Sequence, residues 1–353
     1  MSKSPTVVLT GASGVLGSAL LPELADCHVI ALTHGRPVPA ADEQMACDLT
    51  APGLGLGRAA RRRLAAGVDA VVHCAAATGF ATGPDRAFAL NVAGTRRVAR
   101  LAAETGAALY HVSTAFVART GLARLRTGPP RARTAHPADY LNSKRAAENE
   151  VRASGAAATI VRPSVLIGDS VTGAITAFQG LHAMLHGLLR GLVPMLPLAR
   201  GSLVDFVPQD VAASAIAALV RAGRCGGEMW ITAGERALTV EDALHVLTDT
   251  AEDLGIPVAL PRLIDPDAVE RLIRPVFLRH LRPGDRRQFE AMLALTCLFS
   301  GASDFPTSLG ATLGGPTAPT VPDLRAALRT SIVHLARAKG LAPTAARLSE
   351  GVR

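Results

Sequence analysis

Apolar positions along the chain gather into short unbroken runs separated by longer stretches with helical spacing. Thr6–Thr10, His28–Thr33, Val71–Ala76 with its small-residue turn, and Leu109–Thr114 with its two closing hydroxyls are such runs. A run without polar alternation has both faces covered, as in a parallel sheet with helices on either side. The repeated alternation of strand and helix therefore predicts an α/β fold built on a doubly wound parallel sheet. At 353 residues the chain is long enough for one large α/β domain and a smaller, mainly helical C-terminal cap. The expected division is a sheet domain over 1–235, a substrate-binding cap over 236–340 and a flexible tail over 341–353.

Within the cap, Thr239 is placed to cap a helix. The acids Glu241 and Asp242 follow in its first turn, an apolar pattern runs through Leu254, and Gly255 ends it. Between Val269 and Phe299 arginines alternate with Leu, Ile, Val and Phe at helical spacing, predicting a helical surface with one greasy and one charged face. Such a surface suits a hydrophobic substrate or a docking partner equally. The most apolar stretch, Val171 to Leu198, is broken by Gln179, His182, His186, Arg190 and two prolines, so it is not expected to span a bilayer. It reads as a lid over an apolar tunnel, a surface helix dipping into lipid, or ordinary core. Glycine and proline cluster from Ser300 to Pro322, which predicts a flexible loop.

The first apolar run leads into Gly11-Ala12-Ser13-Gly14-Val15-Leu16-Gly17 and then an apolar helix. Gly11 permits the turn, Gly14 lets a backbone approach a pyrophosphate and Gly17 lets the helix pack on the strand, so that phosphates face the helix N-terminus. Downstream, Tyr140 and Lys144 stand four residues apart, on one helix face. A phenol titrates near pH ~10, so one working at neutral pH needs a positive charge nearby, which Lys144 can supply.

The GxxGxxG spacing followed by Tyr-x-x-x-Lys resembles the short-chain dehydrogenase/reductase superfamily, and the resemblance covers about the first two thirds of the chain. It implies a Rossmann-type domain that binds a nicotinamide dinucleotide across Gly11, Ser13, Gly14, Val15, Leu16 and Gly17. Where an acidic residue would bond the adenosine ribose, the second strand ends in Thr33, followed by His34 and Arg36. Arg36 can pair with a 2′-phosphate, which favours NADP(H) while leaving NAD(H) open. Asp48 and Leu49 resemble the family's short acidic motif beside the adenine. Cys74, Ala75 and Ala76 form the small-residue turn over which the cofactor would lie. Asn91 matches the family's structural asparagine near the active-site lysine, its alternative being an ordinary helix N-cap. Of the hydroxyl pair Ser113 and Thr114, Thr114 aligns with the substrate-facing position and Ser113 with strand-end support. The resemblance thus implies a catalytic trio of Thr114, Tyr140 and Lys144.

A narrower resemblance lies in Ile160-Val161-Arg162-Pro163-Ser164-Val165-Leu166-Ile167-Gly168-Asp169-Ser170 and in Val204-Asp205-Phe206-Val207-Pro208-Gln209-Asp210-Val211-Ala212. Both look like the fatty acyl-CoA reductase and thioester reductase branch of the extended subgroup, with male sterility-type NAD binding. It adds Pro163 and Ser164 to the cofactor contacts. The second string is expected to return to the sheet and open a helix. What this implies is hydride transfer to the carbonyl of an acyl-CoA or carrier-protein thioester, or to the derived aldehyde. A sugar-nucleotide epimerase or dehydratase, a hydroxysteroid-type dehydrogenase and a non-catalytic NADP-binding regulator are the alternatives.

A net charge of +8 fits phosphate-bearing or acidic partners such as acyl-CoA or an acyl carrier protein. Arg58, Arg61, Arg62 and Arg63 form one cluster, and Arg271, Arg274, Arg279, Arg282, Arg286 and Arg287 another, each also readable as a solvated helix face. Nucleic acid is disfavoured, because aromatics make up 3% of the chain and no binding motif accompanies the charge. The five cysteines include no CxxC pair, so neither a metal site nor a disulfide framework is indicated. With no signal peptide at Met1 to Pro5, a cytoplasmic location is the expectation.

Overall fold

The computed structural model describes residues 4–79, 83–119, 137–269, 296, 298–299, 305–311 and 314–342. Its elements are β1 (Thr6–Thr10), α1 (Val15–Glu23), β2 (His28–Thr33), β3 (Glu43–Ala46), α2 (Arg58–Ala65), β4 (Ala70–His73), α3 (Pro84–Ala87), α4 (Gly94–Thr105), β5 (Ala108–Val112), α5 (Pro137–Ala153), β6 (Ala158–Pro163) and β7 (Val165–Ile167). They continue with α6 (Leu181–Leu189), β8 (Met195–Leu196), β9 (Leu203–Val204), β10 (Phe206–Pro208), α7 (Gln209–Ala222), β11 (Glu228–Ile231), β12 (Leu238–Thr239), α8 (Val240–Asp253), β13 (Arg262–Leu263), α9 (Pro266–Ala268) and α10 (Val321–Ala338).

Where the sequence suggests one boundary near residue 235, the chain divides discontinuously. One unit holds Met1–Leu166, Gln209–Thr232 and Pro306–Ala318; the other holds Ile167–Pro208, Ala233–Phe305 and Pro319–Arg353.

In the first unit, seven parallel strands stand in the order β11-β6-β5-β4-β1-β2-β3. Every residue of β1 is buried, as its unbroken apolar run requires. Neighbouring residues of β5 show why the sheet is covered twice: Leu109 joins a core with Val98, Ala99 and Ala102 of α4, while the Tyr110 hydroxyl donates to the Leu219 carbonyl of α7 at 3.0 Å. Chain direction reverses its progress through the sheet between β1 and β4, and ligands of such sheets bind in the crevice at that switch.

The edge strand β11 is not left open. Trp230 N–H donates to Ser308 Oγ at 3.0 Å, Ser308 N–H to the Trp230 carbonyl at 2.8 Å, and Thr232 Oγ1 to the Pro306 carbonyl at 2.7 Å. The glycine- and proline-rich segment expected to be a free loop thus ties down a sheet edge, because its short polar residues supply the bonds an edge lacks.

The second unit is built around α10 and α8. The Thr320–Asp323 capping box opens α10, and its Arg325 and Arg329 pair with Asp242 of α8 and with Asp253 of α8. Thr239 caps α8 as the sequence indicates, accepting from Asp242 N–H at 3.1 Å. Leu324, Leu328, Ile332 and Leu335 form the buried face of α10. Gly173 packs so closely on this helix that a Cβ would stand 2.3 Å from the Thr330 carbonyl oxygen. The buried Asp205 carboxylate accepts from the backbone of Ala233 and Gly234, both at 3.0 Å. The apolar stretch from Val171 to Leu198 contains the nine-residue α6 and the short strand β8, and no helix among the described residues is long and apolar enough to cross a membrane. The return expected at Val204–Pro208 forms the short strands β9 and β10 outside the seven-stranded sheet, and α7 then opens at Gln209. Most of the arginine-rich stretch after Val269, with its six arginines, and the tail after Ala342 lie outside the described residues.

Candidate active site

Three turns at the C-terminal ends of β1, β4 and β5 build the site. After β1, Gly11 adopts φ +72, and a Cβ there would lie 2.6 Å from Ala75 N. At Gly17 a Cβ would stand 2.1 Å from the Gly11 carbonyl oxygen, so both positions admit only glycine. Gly14 is the N-cap of α1, with no side-chain cap and no acid in the first turn. Ser13 and Gly14 are exposed, Val15 is half-buried and Leu16 packs inward. A helix end with unpaired N–H groups, a backbone free of side chains and no carboxylate fits a pyrophosphate.

The turn after β4 is tied to the first by Thr10, whose hydroxyl accepts from Ala75 N–H at 3.2 Å and meets His73 Nδ1 at 2.7 Å. His73 Nε2 lies 3.1 Å from Thr95 Oγ1. Burial pushes the His73 imidazole down to about 3, with the Lys144 charge adding to the effect. The ring is therefore neutral. His111 packs against it with ring centroids 5.4 Å apart and is held well below the usual histidine range by burial, His73 and Lys144. Cys74, Ala75 and Ala76 are half-buried.

Asn91 does not cap a helix. It lies in a π-helical segment, Phe88–Ala93, between α3 and α4. Its amide accepts from Ala77 N–H at 2.7 Å and donates to the Ala77 carbonyl at 3.0 Å and to Ser143 Oγ at 2.9 Å. Asn91 thus fastens the β4 turn to the residue before Lys144.

At the end of β5 the sequence-predicted trio comes together. The Lys144 ammonium donates to the Val112 carbonyl at 2.9 Å. Thr114, two residues on, caps the short turn Ala115–Ala118. Burial raises the half-buried Tyr140 phenol to about 12, opposed by a hydrogen bond with the Thr114 hydroxyl. The positive charge expected to lower the phenol does not do so: Lys144 is turned to the strand carbonyl, and burial lowers it to about 8. At neutral pH, Tyr140 is a neutral donor beside a buried ammonium.

Other sequence-predicted residues lie further out or bond inward. Ser113 donates to Glu148 Oε1 at 2.6 Å, inside the fold. Asp48 accepts from Thr50 N–H at 2.8 Å and Thr50 Oγ1 at 2.7 Å, which holds its carboxyl low and orders its own turn. Leu49 packs on the core beside α4. His34 and Arg36 are exposed in the loop after β2. Pro163 and Ser164 end β6, and the buried Ser164 hydroxyl has no protein partner, as a ligand-facing group would not. The sequence reading missed Thr10, His73, Thr95, Ser143 and Glu148. Of these, Glu148 alone carried a signal, continuing the four-residue spacing of Tyr140 and Lys144.

The chain matches the family described as "Male sterility protein" over residues 42–216. It is 33% identical over 242 residues to the polyketide synthase-nonribosomal peptide synthetase ACE1 of Pyricularia oryzae, covering 61% of this chain and 6% of that protein. It is 35% identical over 165 residues to dTDP-4-dehydrorhamnose reductase of Mycobacterium tuberculosis, covering 45% of this chain and 50% of that one. Among solved structures, the terminal R domain from the myxalamid PKS-NRPS biosynthetic pathway superposes with a TM-score of 0.71 at 25% identity, over 98% of this chain and 94% of that one.

Proposed function

The chain belongs to the extended short-chain dehydrogenase/reductase superfamily, in its male sterility-type, thioester reductase-like branch, and from that premise we propose that this NAD(P)-dependent oxidoreductase is an NADPH-dependent reductase of acyl thioesters. The observation that carries the reading is the neutral Tyr140 phenol bonded to Thr114 beside the buried Lys144 ammonium. Reduction needs a proton donor at the carbonyl oxygen, and a phenol near 12 is one throughout the physiological range.

The dinucleotide, when bound, supplies hydride to the carbonyl carbon. Gly11, Gly14 and Gly17 clear the approach for its pyrophosphate, and the start of α1 offers N–H groups to the charge. Arg36, exposed and free of an ion pair among the described residues, would take the 2′-phosphate, where a carboxylate would repel it. Ser164 offers its unpartnered hydroxyl to the cofactor. Lys144 would hold the ribose, and Asn91, through Ser143, steadies the turn of α5 that carries it. Thr114 and Tyr140 donate hydrogen bonds to the carbonyl oxygen, and these interactions strengthen as the oxygen gains charge. Tyr140 then yields its proton. With a thioester the product of this step is a hemithioacetal, which expels the thiol and leaves an aldehyde. A basic surface suits the phosphates of acyl-CoA or an acidic carrier protein.

NADPH oxidation measured against acyl-CoAs, carrier-protein thioesters, aldehydes and ketones tests the reading. Thioesters are expected to turn over, and Tyr140→Phe to lower kcat by roughly 10²–10³-fold with KM little changed. Turnover of ketones alone would reject the thioester assignment. The likeness to a sugar-nucleotide reductase favours one second reading, a sugar-nucleotide substrate, which the same assay separates by including a nucleotide-linked ketosugar.

A further inference from the structure

One buried carboxylate outside the trio is held by several donors at once. Glu148 is 2% exposed and stands one helical turn beyond Lys144 and two beyond Tyr140. Arg162, from β6, grips it with both sides of the guanidinium: Nε to Oε1 at 3.0 Å and Nη2 to Oε2 at 2.6 Å. Ser113 donates to Oε1 at 2.6 Å and Arg152 to Oε2 at 3.0 Å. Arg162 also pairs with Glu228 of β11 and lies 4.6 Å from the Trp230 ring centroid. Four donors thus converge on a buried carboxylate, the geometry in which a desolvated charge is retained.

We propose that Glu148 is a positioning residue of the reacting site. It locks the helix of Tyr140 and Lys144 onto the end of β5, just before Thr114, and its carboxylate is the counter-charge of the Lys144 ammonium. The proposal rests on the reading of Thr114, Tyr140 and Lys144 as the reacting groups.

The groups facing Lys144 support the second half. His73 and His111, whose protonation burial and the Lys144 charge oppose, are neutral, and Tyr140 is neutral as well. Burial is the largest effect on Lys144; Cys74 and then Glu148 act against it. Burial raises the Cys74 thiol to about 12, so it carries no charge while Lys144 titrates. Glu148, held below the ordinary carboxylate range despite its burial by Arg162, Ser113 and Arg152, is therefore the anion, one turn along α5, whose charge acts on the ammonium. The first half follows from the bonds. Lys144 to Val112 and Glu148 to Ser113 fasten two successive turns of α5 to two successive residues at the end of β5, immediately before Thr114.

The test reads Lys144 itself, with neither substrate nor cofactor. The chain has three lysines, Lys3, Lys144 and Lys339, so a full-length protein labelled with ¹³C-lysine gives three Cε signals, assigned with Lys3→Arg and Lys339→Arg. In Glu148→Gln the Lys144 midpoint is expected to fall by about one pH unit, since a single nearby charge has an effect of that size. In Ser113→Ala the midpoint is expected to stay, while kcat of any reductase activity falls about tenfold through lost alignment. If Glu148→Gln is unstable because Arg162 is left short of charge, Glu148→Gln is read in an Arg162→Met background and compared with Arg162→Met alone, so that only the carboxylate's charge differs, and the same fall is expected. An unchanged Lys144 midpoint in a folded Glu148 variant would overturn the counter-charge role, and unchanged kcat in Ser113→Ala would overturn the alignment role. Should no carbonyl substrate be found at all, the titration stands, and the failure belongs to the reductase reading.

Discussion

At the scale of single residues, the site is defined by groups held away from their ordinary ionisation. Lys144 is lowered by burial to about 8, so its ammonium is lost as pH rises through that value. If that charge holds the cofactor, kcat/KM for NADPH should decline above pH ~8, while Tyr140, near 12, stays protonated. A pH–rate profile over pH 6 to 10 checks this; a limb only above pH ~10 would contradict it. His73 affects folding in the other direction. Its folded value, about 3, lies below the unfolded value of ~6.5. The unfolded chain therefore binds more protons between the two, and the stability present above ~6.5 is lost as pH falls toward 3. At pH 5 His73 subtracts about 2 kcal/mol. Denaturant melts at pH 7 and 5 should show the loss. His111→Leu, which removes a buried ring with neither nitrogen bonded, should make the slope shallower.

Among elements, the strands were the most legible part of the sequence. Thr6–Thr10 and His28–Thr33 fold as strands with those same bounds, because a continuous apolar run has few other ways to be buried. The glycine turn was legible as well, since its spacing reflects contacts that exclude a Cβ. Gly17→Ala is expected to lower stability by about 1–3 kcal/mol and to weaken nucleotide binding, read by thermal melts and NADPH fluorescence titration. Asn91 shows what local pattern leaves open: polar and followed by a helical run, it allowed an ordinary cap beside the structural asparagine that the resemblance implied, and the π-helical segment turns its amide onto Ala77 and Ser143. The partnership of Glu148 with Arg162 was opaque, although the spacing of Glu148 was not. Charged residues on a helix and a strand read as solvated unless their partners, distant in sequence, are known.

For the whole molecule, fold class was readable and the path of the chain was not. The alternation of apolar runs specifies a doubly wound sheet, but nothing in the spacing of Pro306 to Ser308 announces that these residues close the edge at β11, some seventy-five positions earlier. A chain ended at residue 235 would keep all seven strands and leave that edge bare. It is expected to melt earlier than the full chain and to self-associate, seen by light scattering.

Synthesis on the ribosome is vectorial, and the interleaved division of this chain has a consequence there. The nucleotide fold receives its last piece, Pro306–Ala318, only after the intervening segments of the other unit have been made. Until then the nascent chain carries a sheet with one unsealed border, and that interval is when it is most open to chaperones and to pairing with a neighbouring copy.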